Sequence, residues 1–173
     1  MVESKQDGYA VRLLLGKLLA AQGDDPAARI ALEKASSFDP LSATPQYLLA
    51  EMAHTRADDD AELVALRRLG ELEQHENKVY RRLLGLLVAK KAWDEAVKVG
   101  EVAIYADMEG FTTHRLVAEA LAETGNKERA VFEYESAALS PAEPQDLAVV
   151  QNRLAELYGS VGRAKDAARA RKK

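Results

Sequence analysis

Small residues recur at a fixed interval along this chain, each at the same depth in an amphipathic helical stretch. Gly16, Ala50, Gly85, Ala118 and Ala155 lie eight or nine residues into such stretches, at intervals of 34, 35, 33 and 37 residues. A near-constant period in this range means a stack of like supersecondary units, each burying its apolar face against its neighbours, rather than one layered core. The punctuation inside the periods agrees. Gly16 is followed by Gly23, Ala28, Leu32, Ala35 and Pro40, Gly85 by Trp93, Ala96, Gly100 and Ala103, and Ala118 by Gly125, Ala130, Tyr134, Ala137 and Pro141. The four-then-three spacing of Ala28-Leu32-Ala35, Ala96-Gly100-Ala103 and Ala130-Tyr134-Ala137 puts each trio on one face of a second helix. The small residue of the first helix admits that second helix closely, the first Ala of the trio receives it, and the last faces the next unit.

The pattern predicts ten helices in antiparallel pairs, near 9–21 and 25–38, 44–56 and 59–73, 77–90 and 93–106, 111–124 and 127–139, and 145–159 and 163–172. Asp25-Pro26 and Thr44-Pro45 read as helix caps followed by a first-turn proline, where no amide is needed. Gly23, Gly125 and Gly162 fall in the turns inside repeats, where a positive φ is cheap only for glycine. No linker composition appears, so residues 9–173 read as one elongated domain, and the polar segment 1–8 as a frayed start.

These residues resemble the tetratricopeptide repeat family, whose 34-residue helix-turn-helix carries small residues at positions 8, 20 and 27, a large one near 24 and Pro near 32. Repeats starting near Tyr9, Ala43, Lys78, Phe111 and Ala148 cover nearly the whole chain. The first and fourth match well, and the third matches if its turn is one residue short. The fifth matches as far as Ala155, Tyr158, Gly162 and Ala167. The second is weakest, with Glu62, Leu66 and Leu69 at the second-helix positions, and Ala65 off the register. The resemblance implies an all-α, right-handed α-solenoid of about five repeats that acts as a protein-interaction scaffold.

Composition is consistent with a folded chain: 47% hydrophobic and 30% charged residues. Cys is absent, which removes disulfides, thiolate zinc sites and a thiol nucleophile. The net charge of −4 argues against a general nucleic-acid binder. No apolar run reaches the ~20 residues of a membrane span. Leu13 to Ala21 resembles a short signal core, but Gly16 and Lys17 fall where the repeat wants them. No feature fixes the compartment; the cytoplasm is favoured. The ends are odd: Arg171 stands where a large apolar residue is expected. Either helix 163–172 is the closing cap or the chain is a piece of a longer protein, and the missing polar cap favours the second.

No catalytic constellation is present, and no metal or cofactor is called for. His54, His75 and His114 are the only histidines, without HExxH spacing. His114 reads as packing, and Trp93 as a wedge between helices. Asp58-Asp59-Asp60 lacks the Gly and distal Glu of a calcium loop and reads as a cap with first-turn charge. The basic tail, Arg163, Arg169, Arg171, Lys172 and Lys173, reads as helix-end cations. Gly16, Gly85 and Gly100, isolated inside helices, read as packing positions.

The resemblance also implies a site. In the family, positions two, five, nine and twelve of each first helix face the concave groove. Position five here reads Leu13, Tyr47, Arg82, Arg115 and Asn152, position nine Lys17, Glu51, Leu86, Glu119 and Glu156, and position twelve begins Ala20, His54, Ala89. Arg82 and Arg115 are adjacent cations suited to a carboxylate or phosphate, and Tyr47, Leu86 and Ala89 offer an apolar patch. Glu51, Glu119 and Glu156 either select or merely neutralise the arginines. The carboxylate clamp of the family's chaperone-tail binders is absent: Leu13, Lys17, Leu48, Val79 and Leu83 occupy its positions. The expected role is to bind an extended peptide or partner helix, an acidic one by the arginine pair. The alternative is a non-catalytic assembly region of a larger enzyme or secretion-related protein, self-associating through the solenoid ends.

Overall fold

The computed structural model describes residues 7–74 and 76–170. The chain divides into two compact units, Met1–Gln74 and His75–Lys173. The first holds α1 (Tyr9–Ala21), α2 (Asp25–Phe38), α3 (Thr44–Thr55) and α4 (Asp59–Leu72). The second holds α5 (Asn77–Ala89), α6 (Trp93–Ala106), α7 (Phe111–Glu123), α8 (Lys127–Leu139), α9 (Pro144–Ser160) and α10 (Ala164–Ala170). Every expected helix is present, with its described ends within one residue of those expected; the expected end of the last helix lies outside the described residues. Of segment 1–8 only Asp7 and Gly8 are described; Asp7 forks onto Arg12 at 2.5 and 2.7 Å. His75, and Arg171 to Lys173 of the tail, lie outside the described residues.

In the first unit, Gly16 is the close-approach point of the α1–α2 hairpin. A Cβ there would stand 2.6 Å from the Leu32 side chain, so only glycine lets the helices meet. Ala28, Ala31, Leu32 and Ala35 form the buried face of α2, and Leu63, Ala65, Leu66 and Leu69 that of α4. Ala65, read from sequence as off the register, is therefore fully in the core.

In the second unit, Ala118, Val131, Tyr134, Ala137, Val150, Leu154 and Tyr158 form one cluster with Ala167 of α10. Gly100 of α6 is the tight point between repeats: a Cβ would stand 2.6 Å from Val117 of α7. Gly85 is not a packing glycine, since a Cβ there meets nothing within 4 Å, and the fully buried residue beside it is Leu84. Trp93, expected as a core wedge, is only half-buried at the start of α6.

The turns explain the difference. Gly23, Gly125 and Gly162 have φ of 79°, 86° and 78°, as their positions require. In the other two repeats Ala57 and Lys91 take the same left-handed conformation, with φ of 53° and 57°. All five stand at position fifteen if the third repeat starts at Asn77 rather than Lys78. Its turn is then of normal length, and Leu84, not Gly85, holds position eight.

Two caps also shift by one residue. Asp24, not Asp25, caps α2, its Oδ1 accepting from the Ala27 amide at 3.3 Å. Ala43 precedes α3 with no side-chain cap, leaving Thr44 in the first turn. Asp58 caps α4 as expected, accepting from the Ala61 amide at 3.1 Å.

Candidate functional site

Each first helix presents to solvent side chains that meet neither its own second helix nor a neighbouring repeat. Lys17, Tyr47, Glu51, His54, Asn152 and Glu156 are exposed, and Arg82, Leu86, Arg115 and Glu119 are half-buried. The first four belong to the first unit, the other six candidates to the second. The earlier start of the third repeat moves its groove positions five and nine to Arg81 and Gly85, so Arg82 and Leu86 sit one residue along the helix from the expected column.

Within each unit a cleft opens between successive first helices. In the first, Lys17 and Ala20 of α1 face Glu51, Met52 and Thr55 of α3 across a cavity of about 270 Å³ floored by Leu32. In the second, Glu119 and Ala122 of α7 face Glu156, Leu157 and Ser160 of α9 across about 240 Å³ floored by Tyr134. The two are equivalent: position nine lines both walls, position twelve one wall, and position twenty-four of the second helix the floor. The same geometry carries different chemistry. The first cleft has Leu32, Leu48 and Met52 inside it, Lys17 and Glu51 on its walls, and the Arg56–Asp25 ion pair among its lining residues. The second also carries Glu123, Lys127 and Arg153, so acidic and basic side chains alternate around it.

The second cleft's charges are largely paired along their own helices. Arg115 donates to Glu119 at 3.4 Å and Arg153 to Glu156 at 3.1 Å, the latter bond raising the pKa of the Arg153 guanidinium. Burial, reinforced by the Glu119 carboxylate, pushes the Tyr134 phenol up to about 12, so the cleft floor is a neutral hydroxyl at physiological pH. His54 is tied to its own hairpin: Nδ1 lies 3.0 Å from Oε2 of Glu62, a carboxylate that is itself buried. His114 is buried as expected, but its packing is polar. Nδ1 lies 2.7 Å from Oε2 of Glu133, also buried, and Nε2 2.9 Å from the Met108 carbonyl oxygen.

The groove columns did not include Glu123, Lys127, Arg153, Met52 or Leu157. Positions six, ten and thirteen were the signal for most of them, since a cleft between two helices is lined from both sides. Among the described residues, no helix is long and apolar enough to cross a membrane.

No protein-family model matches the sequence, and no curated protein matches it. Solved structures do. The chain is similar to the MamA protein, with 15% identity and a TM-score of 0.70, over 95% of this chain and 88% of that one. It is similar to YrrB, described as a TPR protein with an unusual peptide-binding site, with 14% identity and a TM-score of 0.70, over 97% and 84% of the two chains. A thermophilic TPR protein of Thermus thermophilus aligns at 22% identity with a TM-score of 0.52, over 94% and 88%.

Proposed function

We infer the function of this chain from its fold, a tetratricopeptide-repeat solenoid, a helical-repeat architecture suited to holding other proteins. The chain is a non-catalytic scaffold, and we propose that it binds an extended peptide or a partner helix along its concave groove. The observation that carries this reading is the recurring cleft between successive first helices, built the same way in both units and lined differently in each. A ligand lying in either cleft meets a floor from the second helix and walls from two first helices, and the side chains at positions five, nine and twelve read it. YrrB, of the same fold, has a peptide-binding site, which supports a peptide as the ligand class here.

The proposed ligand carries carboxylates. Arg115 holds Glu119 by a long contact between two partly exposed side chains, so a ligand carboxylate displaces that bond at small cost. In the second unit Arg82 and Asn152 extend the donor set and Leu86 supplies apolar surface; in the first unit Lys17 is the donor and Tyr47 the apolar surface. Glu51, Glu119, His54 and Glu156 set which neighbours of the carboxylate are accepted.

The test is a screen of acidic, neutral and basic peptide arrays, followed by the double change Arg82→Glu with Arg115→Glu. Acidic peptides should bind, binding should weaken in salt, and the double change should abolish it with the helical circular-dichroism signal intact. Changing exposed Arg169 on α10 should leave binding unaltered. Tight binding by the groove variant, with loss in the Arg169 variant, would move the site to the tail.

A further inference from the structure

The two equivalent clefts differ at the floor. Leu32 closes the first with hydrocarbon, and Leu66 holds the same position of the second repeat at 1% exposure. Packing at position twenty-four therefore asks only for a large apolar residue. Tyr134 closes the second cleft with a ring that joins the core cluster and a hydroxyl that packing does not need. The residue is 3% exposed, yet its hydroxyl has no hydrogen-bond partner among the described residues. No fully buried side-chain nitrogen or oxygen among them lacks a partner, so this oxygen is one that still reaches the cleft. Around it the charges balance. Arg115 holds Glu119 and Arg153 holds Glu156, while Glu123 and Lys127, one acid and one base, have no ion pair among the described residues. The phenol is neutral at physiological pH, so the floor offers an O–H donor and an oxygen lone pair.

We propose that the second cleft takes a side-chain amide, from a glutamine or asparagine of the bound peptide, hydrogen-bonded to the Tyr134 hydroxyl. This rests on the peptide reading above and adds what one residue of that peptide is. A cavity of about 240 Å³ holds one side chain, so the choice lies among side-chain chemistries. A carboxylate brings acceptors only and lies beside Glu119, Glu123 and Glu156. An ammonium brings donors only and lies beside Lys127 and Arg153. An aliphatic side chain expels water and leaves the hydroxyl without a partner, the costly outcome for a buried polar group. A serine or threonine offers both donor and acceptor but fills little of the volume. An amide has both on a longer stem: its oxygen accepts from the Tyr134 hydroxyl, and its NH2 donates to a glutamate of the wall. Arg115 is not a lining residue of the cleft, so the ligand's carboxylate and its amide are read by different side chains. When the carboxylate takes Arg115, Glu119 is released to accept from the NH2.

The experiment starts from the acidic peptides that bind in the array and replaces each residue in turn by Gln, Asn, Glu, Lys and Leu. At one position Gln or Asn should bind roughly tenfold tighter than Leu, Glu or Lys, the worth of one hydrogen bond in a dry site. Tyr134→Phe should bring that position to parity with Leu and leave the preferences elsewhere unchanged. The urea midpoint of Tyr134→Phe should match wild type, because the hydroxyl it removes has no partner within the chain. An amide preference that survives Tyr134→Phe, a preference for Glu or Lys that the change removes, no position favouring an amide, or a lowered midpoint would each overturn the proposal. A second measurement needs no peptide. Propionamide, propionate and propylammonium are titrated against the full chain, isotopically labelled at the tyrosine ring carbon Cζ, with the Tyr134 resonance identified by its loss in Tyr134→Phe. Propionamide should move that resonance and the two ions should not; equal shifts with all three, or none with propionamide, would overturn the proposal. A chain that binds no acidic peptide yet shows the propionamide shift fails the groove reading and keeps this one. Peptide binding without the amide preference does the reverse.

Discussion

His114 and Glu133 are the most demanding residues of the second unit. The Met108 carbonyl can only accept, so Nε2 of His114 donates to it, while Nδ1 meets the Glu133 carboxyl group at 2.7 Å. His114→Leu should therefore destabilise the chain by about 3–5 kcal/mol in urea titration, because it strands a buried carboxylate. Adding Glu133→Leu should restore most of the loss, since an apolar pair of similar volume needs no partner. Glu62 makes the same point about legibility. Its place is usually alanine, and from sequence it looks like degeneracy. The structure shows that His54 at position twelve reaches it across the hairpin, and a polar residue on each facing position was the available signal. Burial raises the phenol pKa of three tyrosines, Tyr80, Tyr134 and Tyr158, the last two by most. Burial first, and for Tyr158 then the hydrogen bond to Glu135, pushes Tyr134 and Tyr158 up to about 12 from an ordinary 10. The folded state prefers the neutral phenols, so their contribution is complete below pH 10 and is lost between 10 and 12. Phenolate absorbance should show these two ionising last, together with the loss of helical signal, and Tyr158→Phe should make the alkaline transition shallower.

At the scale of the helix and its turn, the in-helix glycines Gly16, Gly85 and Gly100 separate into two kinds. Gly16→Ala should destabilise, because the new methyl meets Leu32 inside contact distance. Gly85→Ala should stabilise by about 0.5–1 kcal/mol, because the methyl enters open space and the helix loses a flexible residue. Opposite shifts of the two urea midpoints are the expected result. The turn residues make a second contrast: Ala57 and Lys91 hold a left-handed backbone that glycine adopts freely, so Ala57→Gly should raise stability by up to about 1 kcal/mol, the relief of strain exceeding the added chain entropy. Helix positions were readable from sequence because apolar spacing and turn residues reinforce each other. The phase of the third repeat was not, because Gly85 imitates a packing glycine while Lys91 conceals a left-handed turn. The groove followed from the repeat frame, so that one-residue slip carried directly into Arg82 and Leu86. The pairing of Arg115 with Glu119 was legible only as an alternative, since four-residue spacing allows such a bond without requiring it.

Across the whole chain, two compact units imply more than one unfolding step. Trp93, the single tryptophan, belongs to the second unit and reports on it alone, whereas circular dichroism reads both. The two signals should give different midpoints in urea; coincident curves would mean the units unfold as one. The buried carboxylates bear on how such a molecule is made. Glu62 lies eight residues from its imidazole and Glu133 nineteen, each inside one hairpin. During synthesis on the ribosome, each acid can meet its partner once its own hairpin has emerged, before the next repeat exists. No exposed intermediate has to wait for the far end of the chain, which suits a protein completed one repeat at a time.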